Sequence, residues 1–179
     1  MSETAGGRKF WGKYRGTVLQ NVDPMQRGRV MCMVPDVLGT TPSTWCEQCT
    51  PLAGPTGPPM GIYLVPIIGA GVWVEFEQGD PDHPIWTGCR WGGASDIPMM
   101  AKAGNPTDPN IVIQSLLQNM IMVSDMPPTP ATGGIILKTI SNAMIVVNDS
   151  GIYITNGKGA SIMMTGPTVT INNGALVIV

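Results

Sequence analysis

Charged side chains are scarce in this chain of 179 residues, because Asp, Glu, Lys and Arg together make up only 12% of it. That is about half the share of an ordinary globular protein, whereas the hydrophobic share of 43% is normal. Disordered chains are usually highly charged, so this composition excludes extensive disorder. A lone monomer would have few charges to cover its surface, and we expect a protein that buries much of that surface in an assembly.

The chain also lacks a basic field and a long hydrophobic run. Its net charge is −2, which excludes electrostatic attraction to nucleic acid or to an anionic membrane surface. The longest apolar stretch, residues 62–74, is interrupted by Pro66, Gly69 and Gly71 and is too short to span a bilayer. No apolar core follows the early basic residues, so we expect no signal peptide.

Metal-binding residues are few, with four cysteines and a single histidine. Cys46 and Cys49 form a CxxC pair, which is compatible with a redox pair or with half of a zinc site. A second pair is missing, so the spacing favours four reduced structural thiols and leaves a metal or redox role open. His83 lies in an Asp-His-Pro turn and is expected to be exposed. We expect no metal and no cofactor.

Alternating hydrophobic residues dominate the first half of the chain. Val72, Val74 and Phe76 would point to one side of a strand, while Trp73 and the glutamates around it point to the other. Gly- and Pro-rich turns separate such runs, and no convincing helix occurs. The pattern predicts a small β-barrel or sandwich. Its predicted strands are residues 14–22, 29–34, 62–66, 72–77 and 85–91.

Two blocks of this half contain short sequence motifs in a defined order. The first is Tyr-Arg-Gly-Thr-Val at 14–18, Asp-Pro at 23–24, Gly-Arg-Val at 28–30 and Val-Pro-Asp-Val-Leu-Gly at 34–39. The second is Gly-Ala-Gly-Val-Trp-Val-Glu-Phe at 69–76, Gly-Asp-Pro at 79–81 and Pro-Ile-Trp-Thr-Gly at 84–88. Over residues 10–91 they resemble the N-terminal OB-fold domain of the phage baseplate assembly protein V family. The same domain recurs in the VgrG-like spikes of type VI secretion and of contractile injection systems.

The second half repeats itself at an offset of 24 residues, as residues 120–125 align with residues 144–149. Such self-similarity indicates a solenoid or an array rather than a globular core. Residues 111–123 also fit helical spacing, but the β-branched residues of the second copy favour strands throughout.

A lone chain of these short strands would have open edges and an uncovered apolar face. We therefore expect three chains wound together, with strands of each chain pairing with those of its neighbours. The segment resembles the triple-stranded β-helix that follows the OB domain in the same family. The residues expected in the shared core are Ile154, Ile162, Met164, Val169 and Ile171.

The predicted fold is all-β: an N-terminal OB-fold barrel followed by a C-terminal intertwined triple-stranded β-helix needle, in a homotrimer. The boundaries are an N-terminal extension at 1–9, the barrel at 10–93, a linker at 94–110 and the needle at 111–179. The resemblance implies a non-enzymatic central spike of a contractile phage tail or phage-like injection system. It would sit in the baseplate, be assembled in the cytoplasm and puncture the target cell envelope on contraction.

The resemblance implies two further partners. A baseplate hub protein would contact the barrel, and aromatic residues are enriched at the centres of interfaces; the candidates are Tyr63, Trp73 and Trp86. At the other end the chain finishes on apolar residues that water would not normally meet. They are expected to seat a PAAR-type tip protein, unless the three ends seal themselves: Leu176, Val177, Ile178 and Val179.

The sequence leaves other function classes open. Glu75 and Glu77 stand about 6–7 Å apart if they share a strand face, a spacing found in inverting glycosidases, but no sugar cleft is indicated. Some members of the resembled family carry a lysozyme domain, for which residues 94–110 are too few, or an iron site of histidines, none of which follows His83 here. An OB barrel can also bind single-stranded nucleic acid or oligosaccharide, although its neighbouring carboxylates repel phosphate. A carrier of effectors is the remaining alternative.

Overall fold

The computed structural model describes residues 7–54 and 57–178, and the chain divides into two compact units, Met1–Gly92 and Gly93–Val179. Strands form nearly all of the regular structure, and each unit contains one sheet. The predicted all-β class, with an OB-type barrel sheet first and an antiparallel sheet second, is confirmed.

The first unit is a five-stranded sheet in the order β2-β1-β4-β5-β3. Every pairing is antiparallel except that of β3 with β5. A single helical turn, α1 (Pro35–Leu38), follows β2. The strands are β1 (Tyr14–Gln20), β2 (Met31–Met33), β3 (Glu47–Gln48), β4 (Gly71–Phe76) and β5 (Pro84–Arg90).

The core of this unit lies on the side that the alternation predicts. Val72, Val74 and Phe76 are buried, whereas Trp73 and Glu75 on the opposite side of β4 are only partly covered. The buried cluster is completed mainly by small aliphatic and thiol side chains, since large ones would not fit inside a narrow barrel. Its other members are Val18, Val30, Cys32, Val34, Cys46 and Trp86.

An ion pair inside the β1–β2 connection holds this loop together. The side chain of Asp23 is 2% exposed and accepts hydrogen bonds from the backbone N–H groups of Met25 and Arg27, at 3.0 and 2.8 Å. Arg29 donates to both carboxylate oxygens, from Nη2 at 2.7 Å and from Nε at 3.1 Å. This guanidinium holds the pKa of Asp23 well below its usual range. The loop therefore depends on a charged Asp23.

Two predictions about this unit are wrong. Residues 62–66 form no strand; only the neighbouring Gly61 is bridged, to Ala53, and Pro66 has no N–H to offer a ladder. Strand β4 ends at Phe76, and Glu77 begins a 3₁₀ turn in which Gln78 has a φ of 51°. Glu75 and Glu77 therefore do not share a strand face.

The second unit is an eight-stranded sheet in which each strand pairs antiparallel with the strands next to it in sequence. Residues 111–123 form the first strand and the start of the second, so the helical alternative is excluded. The strands are β6 (Ile111–Gln114), β7 (Met120–Thr129), β8 (Thr132–Lys138), β9 (Met144–Asn148), β10 (Gly151–Thr155), β11 (Ser161–Thr165), β12 (Thr168–Ile171) and β13 (Leu176–Ile178).

The hydrogen-bond ladders of this sheet lie within one chain. Strands β7 to β12 each have a neighbour of the same chain on both sides, and β6 and β13 are the edge strands. The interior strands therefore have no free edge for another chain, contrary to our expectation that strands would pair between neighbours. Contacts between copies must therefore involve the faces of the sheet or its edge strands β6 and β13, and not the backbone groups of the interior strands.

Residues 94–110 fold as part of the second unit. They contain two 3₁₀ turns, Ala94–Asp96 and Met99–Lys102. Asn110 Nδ2 donates to the carbonyl oxygen of Met100 at 2.7 Å, and Met100 packs against the buried cluster of the sheet. In this structure the segment is thus packed against the sheet rather than extended away from it.

Candidate assembly interface

The register of the second sheet aligns aliphatic side chains into two continuous ladders, with one residue from each of the eight strands in each ladder. The first ladder comprises Ile111, Val123, Ile135, Val147, Ile152, Met164, Val169 and Ile178. The second ladder comprises Ile113, Ile121, Leu137, Ile145, Ile154, Ile162, Ile171 and Leu176. No polar residue interrupts either ladder from β6 to β13.

Both ladders lie on a face that the chain itself leaves uncovered. Ile135 is 53% exposed, and most other ladder residues are exposed as well. The opposite face is different. Met122, Ile136 and Val146, which lie side by side on neighbouring strands of that face, are fully buried within the chain. A continuous aliphatic surface of this extent is rare on a soluble monomer and marks an interaction surface.

All five residues predicted for the trimer core lie in the ladders: Ile154 and Ile171 in the second, Met164 and Val169 in the first, and Ile162 beside Ile154 on the next strand. Sequence reasoning missed the ladder residues of β6 to β9. The 24-residue repeat contained that signal, since Ile121 and Val123 of one copy correspond to Ile145 and Val147 of the other.

The C-terminal residues predicted for a tip contact fall into two groups. Leu176 and Ile178 are exposed and continue the two ladders on the edge strand β13. The side chain of Val177 and the whole of Val179 lie outside the described residues. The uncovered face therefore reaches the last described strand.

Charged residues are few in the sheet of this unit, and none of them lies in a ladder. From residue 111 onward the charged residues are Asp125, Lys138, Asp149 and Lys158. Burying the ladders in an assembly would therefore desolvate no ionised side chain of either ladder, which avoids a cost of several kcal/mol for each buried charge.

On the barrel, the three predicted hub-contact residues differ in accessibility. Tyr63 is 65% exposed and Trp73 is partly covered, but Trp86 is 6% exposed and its Nε1 donates to the carbonyl oxygen of Gly28 at 3.3 Å. Trp86 is opposite Val74 on the core side of the sheet and is not available for a partner. Including it among the contact residues was wrong.

Sequence reasoning also missed the surroundings of Tyr63. The neighbouring Ile62, Leu64, Ile67 and Ile68 are all exposed. They belong to a stretch without any charged residue between Glu47 and Glu75. This lack of charge is visible in the sequence and could have indicated the surface. This exposed uncharged loop is a second candidate contact surface.

The cysteines of the CxxC pair do not converge, because Cys46 is buried and Cys49 is exposed. Cys46 instead lies beside Ser43, with 3.3 Å between Sγ and Oγ. The interaction between the two buried thiols raises the pKa of Cys32 and lowers the pKa of Cys46. Among the described residues, no group of three or more His, Cys, Asp or Glu side chains is placed to hold a metal ion.

The remaining polar candidates are parts of the surface. Glu75 pairs with Lys13 at 2.7 Å, and His83 is an exposed turn residue 3.9 Å from Asp80. A helix long and apolar enough to cross a membrane does not occur in the part of the chain that the structure describes.

Two comparisons with protein families cover most of the chain. Residues 14–91 match the type VI secretion system/phage-baseplate injector OB domain, and residues 110–177 match the phage baseplate V C-terminal trimerisation domain. No curated protein matches the chain. An OB-type barrel joined to a trimerisation sheet defines a homotrimeric structural component of a baseplate. The chain belongs to the phage baseplate protein V/VgrG-like family.

Proposed function

We propose that this protein is the non-enzymatic central spike of a contractile phage tail or of a phage-like injection system. The observation that carries this proposal is the pair of aliphatic ladders, which continue without a polar interruption from β6 to β13. Three such faces buried against one another would make a shaft with a dry interior along its whole length.

The action of such a spike is mechanical. Contraction of the sheath drives the tube forward, and the spike concentrates the force on a small area of the target cell envelope. Stiffness comes from the backbone hydrogen bonds between the strands of each chain and from the close-packed aliphatic side chains between chains. No step of this action needs a nucleophile, a metal ion or a cofactor.

The barrel would mount the spike on a hub protein through the exposed uncharged loop around Tyr63, together with Trp73. An aromatic residue among aliphatic ones, without charges to desolvate, is the composition of the centre of a stable interface. In the second unit the edge strand β13 offers Leu176 and Ile178, and among the described residues one of its sides has no neighbouring strand. A tip protein of PAAR type would extend the sheet there by strand addition.

Particles produced with and without this chain test the proposal. We expect particles that lack it either to fail to assemble or to contract without releasing a cytoplasmic marker enzyme from target cells. A gold label on the C-terminus of the intact chain should appear at the distal end of the baseplate. Normal marker release by particles that lack the chain, or a label inside the tail tube, would refute the proposed role.

The nucleic-acid-binding alternative is tested separately with the same purified protein. Filter binding of single-stranded DNA should be weak, because the barrel surface near Trp73 carries Glu75 and the chain as a whole is acidic. Tight binding that falls steeply with salt would instead favour that alternative.

A further inference from the structure

The two sides of the second sheet differ in the length of their turns. Beside the second ladder the strands are joined by five-residue turns, at residues 115–119, 139–143 and 156–160. Beside the first ladder β9 joins β10 and β11 joins β12 through only two residues, 149–150 and 166–167. The side of the sheet next to the second ladder therefore carries larger turns than the side next to the first ladder.

Two of the longer turns, at residues 115–119 and 139–143, form the wall of a groove that follows the second ladder from β6 to β10. A cavity of about 560 Å³ is lined by Ile121, Leu137 and Ile145, and also by Asn119 and Thr139 of the turns and by Lys138. The groove is open along the uncovered face and almost entirely apolar inside. A row of aliphatic side chains on a narrow support would fill it better than a flat surface could.

The β7–β8 hairpin is the one long extension on the first-ladder side, and it is held by its own chain. Asn148 Nδ2 donates to the carbonyl oxygens of Thr129 and Thr132, at 2.8 and 3.0 Å. The hairpin is thereby tied to the end of β9. The first ladder beyond it, from Val147 to Ile178, keeps its narrow side.

A homotrimer gives these unequal sides complementary roles. Around a three-fold axis, contacts are heterologous: one side of each chain meets the other side of the next chain. A pure rotation also keeps every residue at its own height along the axis. We propose that the first ladder of each chain seats in the groove along the second ladder of its neighbour, so that Val147 of one chain contacts Ile145 of the next.

This inference rests on the homotrimer, and cross-linking tests it at single residues. In a chain with Cys49→Ser and Cys89→Ser, we would introduce Val147→Cys and Ile145→Cys, alone and together, and oxidise the trimer with copper phenanthroline. The double variant should give a covalent trimer on a non-reducing denaturing gel, because every chain is linked to the next one around the ring. Each single variant should give monomers.

A mismatched pair serves as the control. Val147→Cys with Ile121→Cys carries the same number of thiols, but β9 and β7 lie two strands apart, about 10 Å, and it should stay monomeric on the gel. The matched pair Ile152→Cys with Ile154→Cys on β10 repeats the test at another height.

The outcomes separate the inference from the proposed function. Covalent dimers from a single variant would mean that like ladders meet, and would overturn the inference while the trimer stands. The inference would also be overturned if both matched double variants are trimers by native mass but give only monomers on the gel. A monomeric native mass for the unmodified chain would instead remove the spike proposal.

Discussion

Replacing one ladder isoleucine by aspartate separates burial between chains from burial within the chain. Ile135 in the first ladder is 53% exposed in the single chain, and Ile140, in the turn between β8 and β9, is 62% exposed and belongs to neither ladder. A single chain should therefore tolerate Ile135→Asp and Ile140→Asp about equally. Only association of the ladder faces distinguishes the two positions.

The expected penalty follows from the number of copies. An unpaired carboxylate that is removed from water costs several kcal/mol after relaxation. Each chain also loses the apolar burial of the isoleucine, roughly 1 kcal/mol for the half that is still exposed. Three copies bring the total to the order of 10 kcal/mol, and because 1.4 kcal/mol is a factor of ten, the assembly constant should fall about 10⁷-fold.

Light scattering coupled to size exclusion measures this effect directly. Ile135→Asp should elute as a monomer or an aggregate at pH 7, and Ile140→Asp as a trimer. At about pH 4 a larger share of Ile135→Asp should be trimeric, because burial raises the pKa of its carboxyl and favours the neutral form. An Ile135→Asp trimer that melts like the unmodified protein at pH 7 would show that this ladder faces water.

Three other predictions concern single features. Asp23→Asn should lower the melting temperature of the barrel at pH 7. Because Arg29 depresses the pKa of Asp23, the ionised carboxylate stabilises the barrel above about pH 4, and this stabilisation is lost as the pH falls further. The unmodified protein should therefore lose more stability than the variant between pH 7 and pH 3. Gly134→Ala should destabilise the second sheet by well over 1 kcal/mol in urea unfolding, because φ is +76° and the new Cβ would collide with the carbonyl oxygen of Val147. Gly159→Ala is the control: its φ is also positive but its Cβ would lie in open space, so it should cost only about 1 kcal/mol. Deleting residues 175–179 should leave the trimer intact and abolish capture of a tip protein in a pull-down; capture by the truncated trimer would exclude the C-terminal strand as the seat.

Alternation along the barrel strands predicts which residues are buried, because side chains of a strand point alternately to opposite sides. It places Val72, Val74 and Phe76 correctly. The same rule applied to β5 would have put Trp86 inside, because it is opposite Val74 in the antiparallel pair. The general enrichment of aromatic residues at interfaces was the weaker guide there.

The pairing of the second sheet was harder to predict for a physical reason. A period of two says which face a residue is on, but it does not say whether the strand's hydrogen-bond partner belongs to the same chain. Turn length carries that information, because two residues such as Asp149 and Ser150 can only join adjacent antiparallel strands. The repeat and its Gly-rich corners predict the strands, and the short turns assign them to one chain.

We expect the two uncovered ladders to be buried between the chains of a trimer. The most direct test is the native mass of the unmodified protein at micromolar concentration, measured by multi-angle light scattering. We expect three times the chain mass of 18.9 kDa, retained after dilution to the lowest measurable concentration. A folded, soluble monomer, with strand content intact by circular dichroism, would contradict it.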